Sequence, residues 1–105
     1  MRRRAQKGAS YERELRRVEP IVMDRADWRC ELMIPGQCDG LGLTMHHRKL
    51  RSQGGSNETS NLIACCAGCH HYIHLKPEHS YHMGWLVKGF ADPAKTEIRT
   101  YRRDQ

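Results

Sequence analysis

The sequence predicts a small α+β domain that depends on bound metal, and three observations carry that prediction. At 105 residues, 38% of them hydrophobic, the chain reads as one domain too small to bury a sizeable core. Such chains draw stability from disulfides or a structural metal. Four of the five cysteines form two pairs, Cys30-x7-Cys38 and Cys66-x2-Cys69. Between the pairs, two short stretches of strand character flank a polar, glycine-containing loop, and histidines at helical spacing follow.

Each element follows from its residues in turn. Residues 1–9 (MRRRAQKGA) read as a basic flexible arm, leaving 10–105 as a single domain whose clasp and central unit occupy 28–76. Ser10 is placed to cap a helix with Glu12 and Glu14 in its first turn. Tyr11, Leu15, Val18 and Val22 share one face of it. Pro20 predicts a kink or break near Glu19, with residues 21–27 as a short helix delivering Trp28 and Cys30. Pro35-Gly36 and Asp39-Gly40 mark turns. Leu41, Leu43 and Met45 alternate with smaller or polar residues, which predicts a strand ending at His46-His47. Residues 48–60 form a polar loop, and residues 61–64 return as a second strand. A helix starts around Cys66, because His70 and His74 then share a face. Pro77 ends that helix or opens another, with Gly84 as the stop. Trp85 begins a further strand, and Ile98 anchors a polar tail.

The net charge of +6 favours a polyanionic partner, most simply nucleic acid. No apolar stretch of a secretory signal follows Met1-Arg2-Arg3-Arg4, and no run has the length of a membrane span. The expected setting is therefore a reducing cytoplasm with no membrane partner, where paired cysteines are zinc ligands rather than disulfides.

Cys30, Cys38, Cys66 and Cys69 make the four thiolates of a closed tetrahedral zinc site, which has no chemistry of its own. Cys65, offset from Cys69 by four, is expected as an apolar residue of the return strand. Zinc here would make much of the folding free energy metal-linked; the alternative is four unliganded core cysteines. His70 and His74 are spaced for one cation. His46 and His47 on a strand point to opposite faces, so one can turn to a metal while the other addresses a water. A cation that neutralises a phosphate beside an imidazole that takes a proton from water is the arrangement hydrolysis needs. Spacing alone leaves open a second, purely structural zinc site. His71, His79 and His82 are assigned no role.

The stretch HHRKLRSQGGSNETSNLIACCAGCHHYIH, residues 46–74, closely resembles the HNH (ββα-metal) endonuclease motif, whose zinc-clasped variety reaches back to Cys30. The whole chain resembles the small free-standing HNH proteins of tailed bacteriophages, with Gly-Trp-Leu-Val at 84–87 and Asp-Pro at 92–93 adding to the likeness. The resemblance implies a ββα-metal (His-Me finger) core with flanking helices and a structural zinc clasp. It implies a metal-dependent DNA endonuclease that nicks phosphodiester bonds, with little sequence specificity, as a monomer. His46 would be a metal ligand, with His70 and His74 completing the set. His47 would be the general base. Asn61 would tie the loop and keep the base oriented, with Asn57 the weaker candidate because no Asn-Leu pair follows it. Gly54 and Gly55 match the family loop. The catalytic ion would be magnesium or manganese, with nickel or zinc as alternatives, and an all-histidine set favours later transition metals. Arg48, Lys49 and Arg51 are the nearest candidates for DNA backbone contacts, with residues 2–4 as a trailing arm. The phage likeness points to a packaging terminase as partner and to the host cytoplasm as location. The rivals are a non-catalytic zinc-dependent nucleic-acid-binding module and a structural assembly protein.

Overall fold

The computed structural model of the chain describes residues 2–103, with side chains from Ser10 onward. Two four-residue strands lie at its centre: β1 (Thr44–His47) and β2 (Leu62–Cys65). They pair antiparallel in the register Thr44↔Cys65, Met45↔Ala64, His46↔Ile63 and His47↔Leu62. A two-stranded ribbon this short has no stability of its own, so both faces must be covered. The pleat divides β2 accordingly. Ile63 and Cys65 pack with Leu32, Ile34, Ile73 and Trp85 on one side. Leu62 and Ala64 pack with Val22, Met23 and Ala26 on the other. β1 ends at the histidine pair as expected but starts only at Thr44, and Asn61 ends a 3₁₀ turn (Thr59–Asn61) instead of opening β2.

The second of those faces belongs to helix α1 (Arg2–Arg25), which runs unbroken through Pro20. Proline removes a single bond, to the Arg16 carbonyl, and burial of Val22 and Met23, each contributing ~1.5–3 kcal/mol, holds the segment beyond it. The predicted break is therefore absent, and residues 21–25 continue α1. Ser10 lies inside the helix, where its Oγ accepts from the Arg13 guanidinium at 3.4 Å, so it is no cap. The backbone of 2–9 belongs to α1; the side chains of the basic arm lie outside the described residues.

Helix α1 ends without a glycine. Asp27 and Trp28 adopt left-handed φ of 57° and 56°, at a cost of about 1–2 kcal/mol each. Compensation comes from the Trp28 amide on the Met23 carbonyl at 2.9 Å and the Trp28 indole on Asp24 at 3.0 Å. Arg102 also donates to the Ala26 carbonyl at 2.6 Å. Arg25 then ties the helix end to the sheet. Its guanidinium grips Glu31 at 2.9 and 2.7 Å and reaches the carbonyls of Thr59 and Leu62, while Glu31 accepts the Ala64 amide at 2.9 Å.

Helix α2 (Ala67–Leu75) covers the other face, capped by Cys66, whose Sγ accepts the Cys69 amide at 3.4 Å. Helix α3 (Pro77–Met83) opens on proline and stops at left-handed Gly84, as the sequence implies. The strand expected from Trp85 does not form. Residues 85–87 are buried, but the Trp85 and Leu86 amides turn back to the Ser80 carbonyl and Val87 donates to the Arg48 carbonyl at 2.9 Å, while the Trp85 indole donates to the Arg99 carbonyl at 2.7 Å. Ile98 packs on the core as the tail's aliphatic anchor. Among the described residues, no helix is long and apolar enough to cross a membrane.

Candidate metal centres and active site

The chain beyond α1 folds back on the start of α2 and brings the two cysteine pairs together. Gln37 and Cys38 both donate to the Ile34 carbonyl, which closes the turn marked by Pro35-Gly36. Gly68 must lack a side chain for this contact, because a Cβ there would lie 2.0 Å from the Gln37 carbonyl oxygen. The Sγ atoms of Cys30 and Cys69 stand 3.7 Å apart and those of Cys38 and Cys66 3.6 Å apart, all four within 4.8 Å of one another. A zinc–sulfur bond of ~2.3 Å in tetrahedral geometry needs sulfurs about 3.8 Å apart. Backbone amides of Met33, Ile34 and Cys69 donate to Cys30, Cys69 and Cys66, as thiolates require. Without a cation the set is in conflict. Hydrogen bonds from Cys69 and the backbone hold Cys30 down at about 4, whereas burial and Cys66 push Cys38 up to about 11. A divalent ion removes that conflict, so the donor set fits zinc. Cys65 stands apart as a buried thiol raised by desolvation.

The second cluster joins β1 to α2. His46, 2% exposed, faces His70 and His74 with ring centroids 5.3 and 5.5 Å away, and those two rings lie 4.8 Å apart. The Nε2 atoms of His70 and His74 are 3.2 Å apart, close to the ~3.3 Å edge expected for nitrogens ~2.0–2.1 Å from one tetrahedral ion. His46 Nε2–H donates to the Trp85 carbonyl at 2.7 Å, which leaves Nδ1 as its ligand atom, the outer-sphere arrangement typical of metal-binding histidine. Burial, then the neighbouring imidazoles, hold His46 down at about 3 against the pull of that carbonyl, and burial beside His74 lowers His70. Neutral imidazoles are what a metal needs. Three protein ligands leave coordination positions open, as in catalytic sites.

The buried His46 has a measurable consequence. An unfolded chain protonates its imidazole near ~6.5, the folded protein only near about 3. Between these values the unfolded state binds more protons, so this stability is present above ~6.5 and declines as pH falls. Without the histidine-bound ion, urea midpoints taken near pH ~7 and ~5.5 will drop more steeply for the wild type than for His46→Gln.

His47, the next residue, leaves β1 on the α1 side. Its Nε2 lies 2.7 Å from Asn57 Oδ1 and 2.9 Å from Tyr11 Oη. Asn57 Nδ2 donates to the Tyr11 carbonyl at 3.3 Å, which turns Oδ1 toward the imidazole. An amide oxygen only accepts, so Nε2 carries the proton and Nδ1 carries the lone pair. Nδ1 has no protein partner among the described residues.

The asparagine on the candidate base is therefore Asn57, not Asn61. Asn61 ties the loop: its Oδ1 accepts the Lys49 amide at 2.7 Å and its Nδ2 donates to the carbonyls of Lys49 and Ser56. Gly55 completes the tight path, since a Cβ there would lie 1.7 Å from the Lys49 carbonyl oxygen. Asn57, the weaker candidate in the sequence, takes the place beside the base, and nothing local marks Tyr11; both meet His47 only through the loop and α1.

The three basic candidates separate. Arg48 is 1% exposed and donates to the carbonyls of Gly84, Ser60, Pro93 and Thr96 at 2.6–2.9 Å. It is an internal strut, not a phosphate contact, because its side chain follows that of His46 to the covered side. Desolvation, with Arg25 nearby, lowers it to about 10. Lys49 is half-buried and Arg51 exposed, the latter with its guanidinium 3.5 Å above the Tyr11 ring.

The chain matches no curated protein and no solved structure. Residues 29–76, which carry both ligand clusters together with His47, Asn57 and Asn61, match the family model of the HNH endonucleases.

Proposed function

We propose that the chain is a metal-dependent endonuclease that hydrolyses phosphodiester bonds in DNA and nicks one strand per encounter as a monomer. The observation that carries this reading is the union of an open three-histidine cluster with a neighbouring imidazole whose Nδ1 is unengaged. His47 would take a proton at Nδ1 from a water attacking the phosphorus in line, and Asn57 would keep that tautomer. A divalent ion on His46, His70 and His74 would neutralise the phosphate and stabilise the departing 3′-oxygen. Magnesium or manganese is the ion assigned by family likeness, with nickel and zinc suited by the all-nitrogen donors; zinc is assigned to the cysteines. Lys49 and Arg51 would hold the backbone. The phage likeness makes a packaging terminase the first partner to test.

Supercoiled plasmid incubated with magnesium, manganese or nickel tests the reading. The wild type should produce nicked circles, and His47→Ala should lose about 10²–10⁴-fold in rate while keeping its zinc. A non-catalytic DNA-binding module would instead retain salt-dependent affinity with no cleavage in any metal. Equal cleavage by both proteins would remove His47 from the mechanism.

A further inference from the structure

We propose that Tyr11, brought in by α1 from outside the matched segment 29–76, is a positioning residue for His47. It rests on the nuclease reading above and adds to it a residue from a different part of the chain. Tyr11 is held at three points. Its Oη lies 2.9 Å from His47 Nε2, its carbonyl accepts Asn57 Nδ2 at 3.3 Å, and its ring lies 3.5 Å beneath the Arg51 guanidinium. The phenol and imidazole planes are inclined by only 22°. Because Nε2 carries the proton, one N–H is forked between Asn57 Oδ1 and Tyr11 Oη. Rotating the imidazole by half a turn would break both contacts by putting Cε1–H where Nε2–H stood, and the other tautomer would set a lone pair against the Asn57 oxygen. Two acceptors fix the ring in two directions, where Asn57 alone would leave it free to tilt about a single bond. Burial raises the Tyr11 hydroxyl above its usual range despite Arg51, so it remains a neutral acceptor.

The arrangement also gives α1 a place in the site. The helix is fixed at its far end by Arg25 on Glu31, and Tyr11 lies nearly four turns earlier, where it meets the loop. Arg51 stacked on the phenol closes the contact from the loop side as a cation–π pair.

Tyr11→Phe keeps the ring under Arg51 and removes only the hydroxyl. In steady-state plasmid nicking, kcat should fall about tenfold with KM within about twofold of wild type. Imidazole NMR gives a readout that needs no turnover: the wild-type His47 Nε2–H should show cross-relaxation with Tyr11 ring protons. In Tyr11→Phe that proton should exchange with solvent at least about tenfold faster. Circular dichroism and metal content establish that the variant is folded. An effect on KM with kcat intact, or unchanged kcat, overturns the proposal. Faster cleavage also overturns it, and would make α1 a cover over the base. If the wild type cleaves nothing in any metal, the nuclease reading fails, and positioning is decided separately. Absent cross-relaxation in the wild type, or unchanged exchange in the variant, overturns it there too.

Discussion

Removing the cysteine-bound metal will unfold the domain instead of merely silencing it. The four sulfurs join the turn after α1 to the start of α2, and the core around them includes Leu32, Ile34 and Ile73. Structural zinc contributes ~10–16 kcal/mol of apparent binding free energy in small finger domains. Net stability of a whole domain is only ~5–15 kcal/mol, so loss of a term this size is enough to remove all of it. Cys66→Ser is the sharpest single change, because Cys66 is both a member of the four-sulfur cluster and the α2 cap. Its far-ultraviolet spectrum and urea unfolding should match those of chelator-treated wild type, with no cooperative transition. A cooperative transition at the wild-type midpoint after metal removal would show that the cysteines are ordinary core residues.

The second large effect is expected at Arg48. Arg48→Met should cost about 3–5 kcal/mol, read as a lower urea midpoint at unchanged slope. Four carbonyls from three separate stretches of chain converge on one guanidinium. Methionine fills the volume but leaves those oxygens unpaired, at about 1–3 kcal/mol for each that water cannot reach. Arg48→Lys should recover little, because an ammonium is a point donor and cannot reproduce the planar fork. A loss below about 1 kcal/mol for Arg48→Met would mean that the carbonyls rehydrate and that the strut is dispensable.

These two sites mark the limits of what sequence reading reaches. Half of each cluster was legible because spacing along the chain encodes it: Cys66-x2-Cys69 and His70-x3-His74 each fall on one turn or one face of a helix, whereas Cys30 and Cys38 follow from the count of cysteines and His46 from the family resemblance. The division of His46 from His47 was legible for a similar reason, the two-residue period of a strand. That same period places Arg48 with His46, yet positive charge pointed to the surface, because its partners are backbone carbonyls that carry no sequence signature. Tyr11 was hidden, and Asn57 ranked below Asn61, for the opposite reason. Their contact with His47 spans 36 and 10 positions and depends on the path of a loop. The continuity of α1 through Pro20 was set by packing beyond the proline, which no local propensity reports.

The four-pair register of the hairpin also assigns the labour of its histidines. A slide of β1 by one residue exchanges its faces, turning His46 toward Tyr11 and His47 toward His70 and His74. A ribbon this short resists slippage only weakly by itself. Asn61 pinning Lys49 and Ser56, and the Arg48 amide on the Asn61 carbonyl at 2.8 Å, clamp the loop where such a slide would begin. Loop length is thus a chemical variable in this protein: a residue gained or lost between Arg48 and Asn61 threatens to exchange the proposed base and the proposed ligand while leaving every member of the site in the sequence.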